Sequence, residues 1–416
     1  MLLLYIDPGT GSMLFSIVIG LVTMLYFLGK AVVIKLKFVL SGGRVTASSS
    51  HYPLVIYSEG KRYWNVFMPI LEALNRRAIP TVFYTSSEDD PVFQIQFEYI
   101  TSEYIGEGNK AFTRLNFLEA DVCLMTTPGL DVYQLKRSRG VSHYCHVLHA
   151  VDDATSYRLF GLDYFDSILL SGEYQKNHIR QLEYQRNIKE KELVVVGCPY
   201  LDVLKEKVVS LPRENEARGK FTVLIAPSWG KNGILSKYGT SLLDPLVETG
   251  FAIIVRPHPQ SKQSEKEVLD VLEERFRNRM NVAWDYESEN LQSLSRADIL
   301  ISDFSGIIFD YTFLFDRPFF YVNNAFDARP YDSFDLEEQP WKFRILPEIG
   351  VELKEQDFDN IGELLLSASK NIHLQENRKK ARETAWQFPG VSGNRIAEFL
   401  EKTIQMCNTI KHGGRP

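Results

Sequence analysis

Along most of this chain, short apolar runs alternate with longer stretches in which apolar residues recur every three or four positions. The short runs end in glycine, proline or polar residues, as do strands that are buried on both faces. The longer stretches have the spacing of amphipathic helices. This alternation predicts parallel sheets with helices on both faces. The predicted strands begin near residues 54, 81, 120, 144, 167, 192, 220, 251, 280, 297 and 317.

The pattern runs through the chain twice, with a polar linker near residues 211–219. We therefore predict an α/β fold of two Rossmann-like, doubly wound domains, at 52–210 and 220–372, that face a cleft. A helical tail is predicted at 373–416. Open α/β sheets bind ligands at the carboxyl ends of their strands, so we expect the active site in the cleft.

The N-terminus differs from the rest of the chain because residues 13–29 carry no charge. This stretch is at the short end of the length that crosses a bilayer. Lysines and an arginine follow it within residues 30–44. Under the positive-inside rule this pattern predicts a membrane helix as an anchor within residues 1–45, with the body of the protein on the cytoplasmic side. The alternatives are an amphipathic helix lying in the membrane interface and a core helix of a soluble domain.

Charge and cysteine content argue against two classes of protein. The 416 residues have a formal net charge of −6, so the chain lacks the general positive field of a nucleic-acid-binding protein. We expect no nucleic-acid partner. The four cysteines form no CxxC pair, which is typical of free thiols in a reducing compartment and argues against a zinc ribbon.

Residues 298–311, DILISDFSGIIFDY, predict a buried strand that runs directly into a helix. Ser302, Asp303 and Ser305 are good helix-capping residues, and an apolar run with helical spacing starts at Gly306. The start of a helix presents unpaired backbone N–H groups and a partial positive charge, so it can bind phosphate. These four residues are our candidates for binding the phosphates of a donor. The alternative is ordinary capping of the helix.

A second predicted strand, AIIVRPHP at 252–259, ends in Arg256 and His258. Arginine can donate two parallel hydrogen bonds to phosphate oxygens, and a histidine beside it can donate to the same oxygens. Asp303 would repel a phosphate, so we expect it to cap the helix or to hold Arg256 or His258. The alternative is that Arg256 and His258 pair with acidic neighbours. Together the two strand ends predict a site for a phosphorylated, nucleotide-linked substrate.

Four motifs carry a resemblance to a known family: VGCPYLDVL (196–204), APSWG (226–230), RPHP (256–259) and ADILISDFSGIIFDY (297–311). In this order they resemble the CDP-glycerol glycerophosphotransferases, which build or prime teichoic-acid-like polymers at bacterial membranes. The likeness covers roughly residues 140–325. It implies a two-Rossmann fold of the GT-B type and transfer without a metal, so we expect no cofactor.

The resemblance also implies a catalytic base. The family uses a histidine in a Trp-His-Gly-Thr turn, and the matching turn here is LHAV at 148–151, which gives that role to His149. Only the histidine of the turn is kept. We expect Asp152 or Asp153 to orient the ring. The second implied catalytic histidine is His258, placed with Arg256 at the pyrophosphate and leaving group.

Two further residues follow from the family motifs. Asp202 matches the aspartate of the family's Gly-x-Pro-x-x-Asp turn, and we expect it to support the site by capping the next helix. Gly306 stands where the family usually has a serine, so one hydroxyl contact to phosphate would be lost while the backbone N–H remains. Ser305 is expected to contact phosphate through its hydroxyl.

Three histidines, at 143, 146 and 149, have a spacing that suggests a metal site. In a strand, however, alternation would send His146 to the face opposite His143 and His149. No carboxylate completes a ligand set, and we predict no metal site.

We therefore predict a membrane-associated transferase that moves a glycerol-phosphate or related polyol-phosphate unit from a CDP-activated donor to a hydroxyl, releasing CMP. The expected acceptor is a membrane-bound glycan or lipid-linked molecule of the cell envelope, with membrane lipid as a further partner. The expected location is the cytoplasmic side of the bacterial membrane. The alternatives are a GT-B glycosyltransferase that uses a nucleotide sugar and a non-catalytic, membrane-anchored nucleotide-binding protein.

Overall fold

Two parallel sheets organise the described part of the chain. The structure is a computed structural model that describes residues 22, 24–26, 29, 51–211, 220–287, 289–368 and 372–412. The described residues from Tyr52 onward form one compact unit that contains both sheets.

The first sheet has seven strands within the described residues, in the order β3-β2-β1-β4-β5-β6-β7, and every neighbouring pair is parallel. The order reverses between β1 and β4, which creates a topological switch point at their carboxyl ends. Its strands are β1 (Tyr52–Ser58), β2 (Thr81–Thr85), β3 (Ile100–Tyr104), β4 (Glu119–Met125), β5 (Gly140–Val147), β6 (Ser167–Leu170) and β7 (Glu192–Val195).

The second sheet repeats this plan with six described strands in the order β10-β9-β8-β11-β12-β13, again all parallel. Its switch point lies between β8 and β11. The strands are β8 (Thr222–Ile225), β9 (Ala252–Val255), β10 (Val282–Trp284), β11 (Ile299–Ser302), β12 (Phe319–Tyr321) and β13 (Val351–Glu352).

Helices connect successive strands and cover the sheets. The apolar faces of the helices and the central strands form the cores, in which residues such as Leu54 and Ile225 are fully buried. The helices are α1 (Trp64–Arg76), α2 (Asn109–Leu115), α3 (Lys176–Gln185), α4 (Pro199–Ser210), α5 (Ile234–Lys237), α6 (Gly239–Glu248), α7 (Ser261–Ser264), α8 (Lys266–Phe276), α9 (Leu291–Arg296), α10 (Ile307–Phe315), α11 (Trp341–Ile349), α12 (Ile361–Ala368), α13 (Ile372–Ala385) and α14 (Ser392–His412).

Each of the predicted strands is present, and the sequence pattern missed two more. β3 reads ITSEY, and Ile100 is its one buried residue, because an edge strand needs only one apolar face. β13 is a two-residue strand at the edge of the second sheet. Both were missed because neither carries the continuous apolar run by which the buried strands were found.

The predicted membrane helix was wrong as far as the structure describes the chain. Among the described residues, no helix combines the length and the apolar character that a membrane span requires. Most of the predicted anchor, including most of 13–29, lies outside the described residues, as does the predicted linker from 212 to 219.

The end of the described chain returns to the first half of the molecule. Helix α14 packs against α1 and β4 of the first sheet, after α13 has packed against α10 and α11 of the second half. The turn between α13 and α14 is held by Asp202 in α4. Its carboxylate accepts hydrogen bonds from Trp386 Nε1 at 2.9 Å and from the backbone N–H of Gly390 at 2.7 Å.

Ser392 completes this contact, because its hydroxyl and its backbone N–H both donate to Asp202. The expectation that Asp202 caps α4 was wrong: the N-terminus of that helix has no side-chain cap. The carboxylate instead fixes the return of the C-terminal segment.

We expect Asp202→Ala to lower the free energy of unfolding by about 2–4 kcal/mol, because the buried indole and backbone N–H groups would lose their acceptor. Thermal and denaturant unfolding of the purified chain would measure this loss. Glu206→Gln, an exposed change on the same helix, is the matched control and should leave stability unchanged. Equal midpoints for Asp202→Ala and Glu206→Gln would contradict the assignment.

Candidate active site

Two adjoining cavities lie between the first and the second half. The first, which we call the His149 cavity, has a volume of about 660 Å³, and the second, the Arg256 cavity, has a volume of about 580 Å³. Arg62, Tyr200, His258 and Gly306 line both of them, so the two cavities form one continuous cleft. The cleft lies at the carboxyl ends of strands from both sheets, where this topology binds ligands.

His149 enters the cleft from the loop that follows β5. Its Nδ1 atom lies 3.1 Å from the hydroxyl oxygen of Tyr157. Burial lowers the pKa of His149 below its ordinary value, while the charge of Asp152 raises it and the charge of Arg62 lowers it again. A histidine with a lowered pKa is neutral near pH 7 and can accept a proton.

His258 follows β9 and faces the same cleft from the second half. Its Nδ1 accepts a hydrogen bond from the backbone N–H of Gln260 at 3.1 Å. Burial lowers the pKa of His258, although the charge of Glu265 raises it. A neutral ring whose Nδ1 is an acceptor carries its proton on Nε2, so His258 is a hydrogen-bond donor.

Arg256 lines the second cavity, but its guanidinium is already bonded within the protein. Nη1 pairs with Asp285, and Nη2 donates to the carbonyl of Glu287 at 2.8 Å. Burial alone would raise the pKa of Asp285, yet hydrogen bonds from Ser293, Glu287 N–H and Arg256 hold it below its ordinary value. Arg256 therefore pairs with an acidic neighbour, and it does not present the free fork that a bidentate phosphate contact requires.

Ser302 and Asp303 are buried and hold neighbouring loops together. The hydroxyl of Ser302 donates to the Ala226 carbonyl at 2.7 Å. The Asp303 carboxylate accepts from the backbone N–H groups of Ser228 at 2.9 Å and Ser305 at 3.2 Å. Burial raises the pKa of Asp303, and these bonds lower it. The geometry does not support direct phosphate contacts by these two side chains, nor the expected contact of Asp303 with Arg256 or His258.

Ser305 and Gly306 do line the cleft, at the start of α10. Gly306 has a φ of −61°, and a Cβ atom placed there would have no neighbour within 4 Å. Its backbone is therefore compatible with any residue, and the space around it is open. The backbone N–H of Gly306 and the hydroxyl of Ser305 are the groups of this motif that remain available to a ligand.

The two aspartates after His149 bond to the second half of the molecule. Asp152 accepts from Lys342 Nζ at 3.1 Å, and Asp153 accepts from the backbone N–H groups of Trp341 at 3.1 Å and Lys342 at 2.8 Å. Neither carboxylate has a hydrogen bond to His149 among the contacts of the described residues. Asp152 acts on the ring through its charge, and the oriented contact predicted for an aspartate is made by a tyrosine.

The structure also corrects the predicted arrangement of the three histidines. The His143 ring bonds a serine of β6, with Nε2 2.9 Å from the serine Oγ. His146 Nε2 and His149 Nδ1 each lie 3.1 Å from the Tyr157 hydroxyl. Their predicted placement on opposite faces was wrong because β5 ends at Val147, so His149 lies beyond the strand and its alternation.

Asp310 is a residue of the cleft that the sequence reasoning missed. It lies in α10, lines the His149 cavity, and accepts hydrogen bonds from the Tyr200 hydroxyl at 3.1 Å and Asn290 Nδ2 at 3.2 Å. Burial raises the pKa of Asp310 to about 7, against the lowering effect of these two bonds. Its signal in the sequence was a lone carboxylate inside the apolar run IIFDYTFLF.

Comparison with known families confirms the resemblance seen in the motifs. A family model described as CDP-glycerol:poly(glycerophosphate) glycerophosphotransferase matches residues 162–339. That stretch includes Arg256, His258 and the 302–306 motif, and it begins after His149. The match confirms the prediction of an enzyme, a CDP-glycerol glycerophosphotransferase-like transferase. No curated protein matches the chain.

Solved structures share the fold at low sequence identity. The wall teichoic acid polymerase TagF is 17% identical with a TM-score of 0.54, and the match covers 86% of this chain and 90% of that one. A putative UDP-N-acetylglucosamine 2-epimerase from Listeria monocytogenes is 13% identical with a TM-score of 0.56, covering 86% and 98%. The UDP-GlcNAc 2-epimerase from Methanocaldococcus jannaschii is 15% identical with a TM-score of 0.52, covering 84% and 99%. These likenesses show the fold alone, two Rossmann-like domains in a GT-B-like arrangement.

The raised pKa of Asp310 predicts a pH-dependent cost in stability. Its value of about 7 in the folded protein is above the ordinary value of about 3.9, so between these pH values the folded chain binds the proton more tightly than the unfolded chain does. Stability should therefore fall as the pH rises through this window. We expect Asp310→Asn to be more stable than the wild type by a few kcal/mol at pH 8, with the difference shrinking towards pH 4.

Thermal unfolding at a series of pH values would test this prediction. Asp270→Asn is the matched control, because Asp270 lies on an exposed face of α8, where it pairs with Lys266. A constant difference between Asp310→Asn and the wild type across the whole pH range would show that burial does not raise this carboxyl's pKa.

Proposed function

We propose that this chain transfers a glycerol-phosphate or related polyol-phosphate unit from a CDP-activated donor to a hydroxyl of a cell-envelope glycan or lipid-linked acceptor, and releases CMP. The observation that carries the proposal is the continuous cleft, which His149 enters from the first half while His258, Ser305 and Gly306 enter from the second. A candidate general base and a set of hydrogen-bond donors for phosphate oxygens thus face the same cleft.

The second half is suited to the donor. The Ser305 hydroxyl, the Gly306 N–H and the Nε2–H of His258 are neutral hydrogen-bond donors that can face phosphate oxygens. The family match over 162–339 supports a CDP-activated donor for this half. Negative charge accumulates on the leaving phosphate during transfer, and donors aimed at that charge stabilise the transition state.

His149 is suited to the acceptor. In the proposed step its neutral ring takes the proton of the acceptor hydroxyl at Nε2, and the acceptor oxygen bonds to the β-phosphorus of the donor. The bond from that phosphorus to the bridging oxygen breaks, and CMP leaves with the electron pair. General base catalysis of this kind contributes roughly 100- to 10,000-fold to a rate.

Three cations around the Arg256 cavity can exchange their carboxylate partners for an anionic ligand. Lys61, Arg62 and Lys207 each pair with a carboxylate in contacts that are at least partly exposed to solvent. Exposed ion pairs are worth about 0–1 kcal/mol, so these cations can exchange a carboxylate for a phosphate at little cost. Arg256, buried against Asp285, cannot do so as easily.

The nature of the acceptor, an association with membrane lipid and a location on the cytoplasmic side of the bacterial membrane stay predictions. A glycosyltransferase that uses a nucleotide sugar would share this fold, because a fold of this kind serves several chemistries. The identity of the released nucleotide separates the two functions.

We expect the chain to release CMP when it is given CDP-glycerol or CDP-ribitol together with a bacterial membrane lipid extract, and His149→Ala to lower this release by roughly 100-fold or more, because the acceptor hydroxyl would lose its base. Chromatographic identification of the nucleotide and the product is the measurement. His143→Gln is the matched control, since His143 lies on β5 and its ring bonds a serine outside the cleft.

The other outcomes are equally informative. UDP released from a panel of UDP-sugars would move the chain to the glycosyltransferases. Tight nucleotide binding without turnover on any acceptor fraction would favour a binding protein. Near-normal turnover of His149→Ala would overturn the base assignment even if CMP is released.

Ser305→Ala should raise the KM for the CDP donor about 10-fold while changing kcat less, because a hydrogen bond to a charged phosphate is worth roughly 1.5 kcal/mol or more. Initial rates at varied donor concentration give both constants. Ser264→Ala, an exposed serine on α7, serves as the control. An unchanged donor KM would return Ser305 to a purely structural role at the helix start.

A further inference from the structure

Tyr157 joins two histidines through a single hydroxyl group. His146 Nε2 and His149 Nδ1 each lie 3.1 Å from its oxygen. A hydroxyl has one proton to donate, so one ring must accept that proton and the other ring must donate to the hydroxyl oxygen. The three groups therefore have two possible arrangements, and each one places the proton of His149 on a different nitrogen.

The proposed base role is compatible with one of these arrangements. If Tyr157 donates to His149 Nδ1, the neutral His149 ring carries its proton on Nε2 and cannot take another proton there. If Tyr157 instead donates to His146, then His149 donates its Nδ1–H to the hydroxyl oxygen and its Nε2 is bare. In this second arrangement the proton of His146 lies on Nδ1.

The surroundings of His146 are compatible with the second arrangement, which is the one that the base role of His149 requires. The ring is fully buried, and its Nδ1 has no well-aligned hydrogen-bond partner within the described residues. His146 pairs with Met125 across β4 and β5, which brings the backbone after β4 close to the ring. Burial and the charge of His149 lower the pKa of His146, and the Thr127 backbone raises it. In the second arrangement the Nδ1–H of His146 is a donor from which a backbone carbonyl after β4 could accept.

Tyr157 is itself held firmly. Its carbonyl accepts from the backbone N–H of Asp332 at 2.9 Å, and its ring lies edge-on to His146 with centroids 5.3 Å apart. Burial raises the pKa of Tyr157 well above its ordinary value, so the hydroxyl keeps its proton at neutral pH. The hydroxyl can therefore act as a fixed relay between the rings.

We propose that Tyr157 and His146 are positioning residues that hold His149 in the tautomer with a bare Nε2. The inference deepens the proposed function, on which it rests. During transfer the acceptor proton would move to Nε2 of His149, while the Nδ1–H stays on the tyrosine oxygen. The relay thus does for this ring what a carboxylate does for the histidine of a catalytic triad.

The first test needs no substrate. Nitrogen NMR of the full chain, labelled with ¹⁵N-histidine and measured at pH 8, reports which nitrogen of each ring is protonated. The His149 signals are identified by their loss in His149→Gln. We expect a protonated Nδ1 and a bare Nε2 in the wild type, and a smaller Nδ1-protonated fraction in Tyr157→Phe. A wild-type His149 with its proton on Nε2 overturns the relay.

The second test is kinetic. Tyr157→Phe keeps the ring and removes the relay, so we expect kcat to fall roughly 10- to 100-fold with the donor KM within about twofold. His146→Gln keeps an acceptor near the position of Nε2 and should retain more activity than His146→Leu. Tyr184→Phe, at an exposed tyrosine of α3, is the matched control and should be unchanged.

These results separate the relay from the proposed function. The expected NMR signals without any transferase activity would sustain the tautomer assignment and remove the function. Transferase activity with an unchanged kcat in Tyr157→Phe would remove the relay and leave the function. Thermal midpoints of each variant identify any loss of activity that comes from unfolding.

Discussion

Two buried carboxylates hold the halves of this molecule against each other, and the cleft depends on them. Asp153, in the loop after His149, accepts the backbone N–H groups that open α11 in the second half. Asp332, in the second half, accepts from the N–H groups of Phe160 and Gly161 and pairs with Arg186. A carboxylate that binds backbone N–H groups forms strong, charge-assisted bonds, and its removal would leave buried donors unpaired. The loop that carries His149 and Tyr157 is therefore fixed at both ends to the second half.

Buried polar side chains that bond to the backbone also hold the loop between β11 and α10. The Asp303 carboxylate accepts hydrogen bonds from backbone N–H groups of two loops, and the Ser302 hydroxyl donates to a backbone carbonyl. Both side chains therefore hold the loop in place. The residues that then reach the cleft are the next ones, Ser305 and Gly306. The carboxylate of Asp303 lies close to a candidate phosphate site, but its hydrogen bonds to the protein offset its negative charge. The motif can therefore contain an aspartate without repelling an anionic ligand.

Much of the fold could be predicted because its strands are buried on both faces. A parallel strand covered by helices must be apolar throughout, so runs such as AIIV and ILIS reveal themselves without any knowledge of their neighbours. An apolar run with helical spacing likewise predicted the helix that starts after Gly306, which is α10. Elements that meet solvent, such as β3, have no such signature. The apolar run at the N-terminus predicted a membrane helix; most of that run lies outside the described residues, and no described helix can span a membrane.

For the candidate site, too, some features could be predicted from the sequence and others depended on the fold. Local sequence was sufficient to identify His258, Ser305 and Gly306, each of which follows a strand at the edge where this topology binds ligands, and the family resemblance added His149; all four line one cleft. It could not assign partners, because hydrogen bonds form between residues that are distant in the chain. Only folding brings together the hydrogen-bonded pairs Arg256 and Asp285, Asp202 and Trp386, and Asp310 and Tyr200. The order of apolar and polar residues therefore determined the architecture and the positions of the motifs. The protonation, the hydrogen-bond partners and the burial of each side chain depended on packing between segments that are distant in the chain, which no local sequence pattern shows.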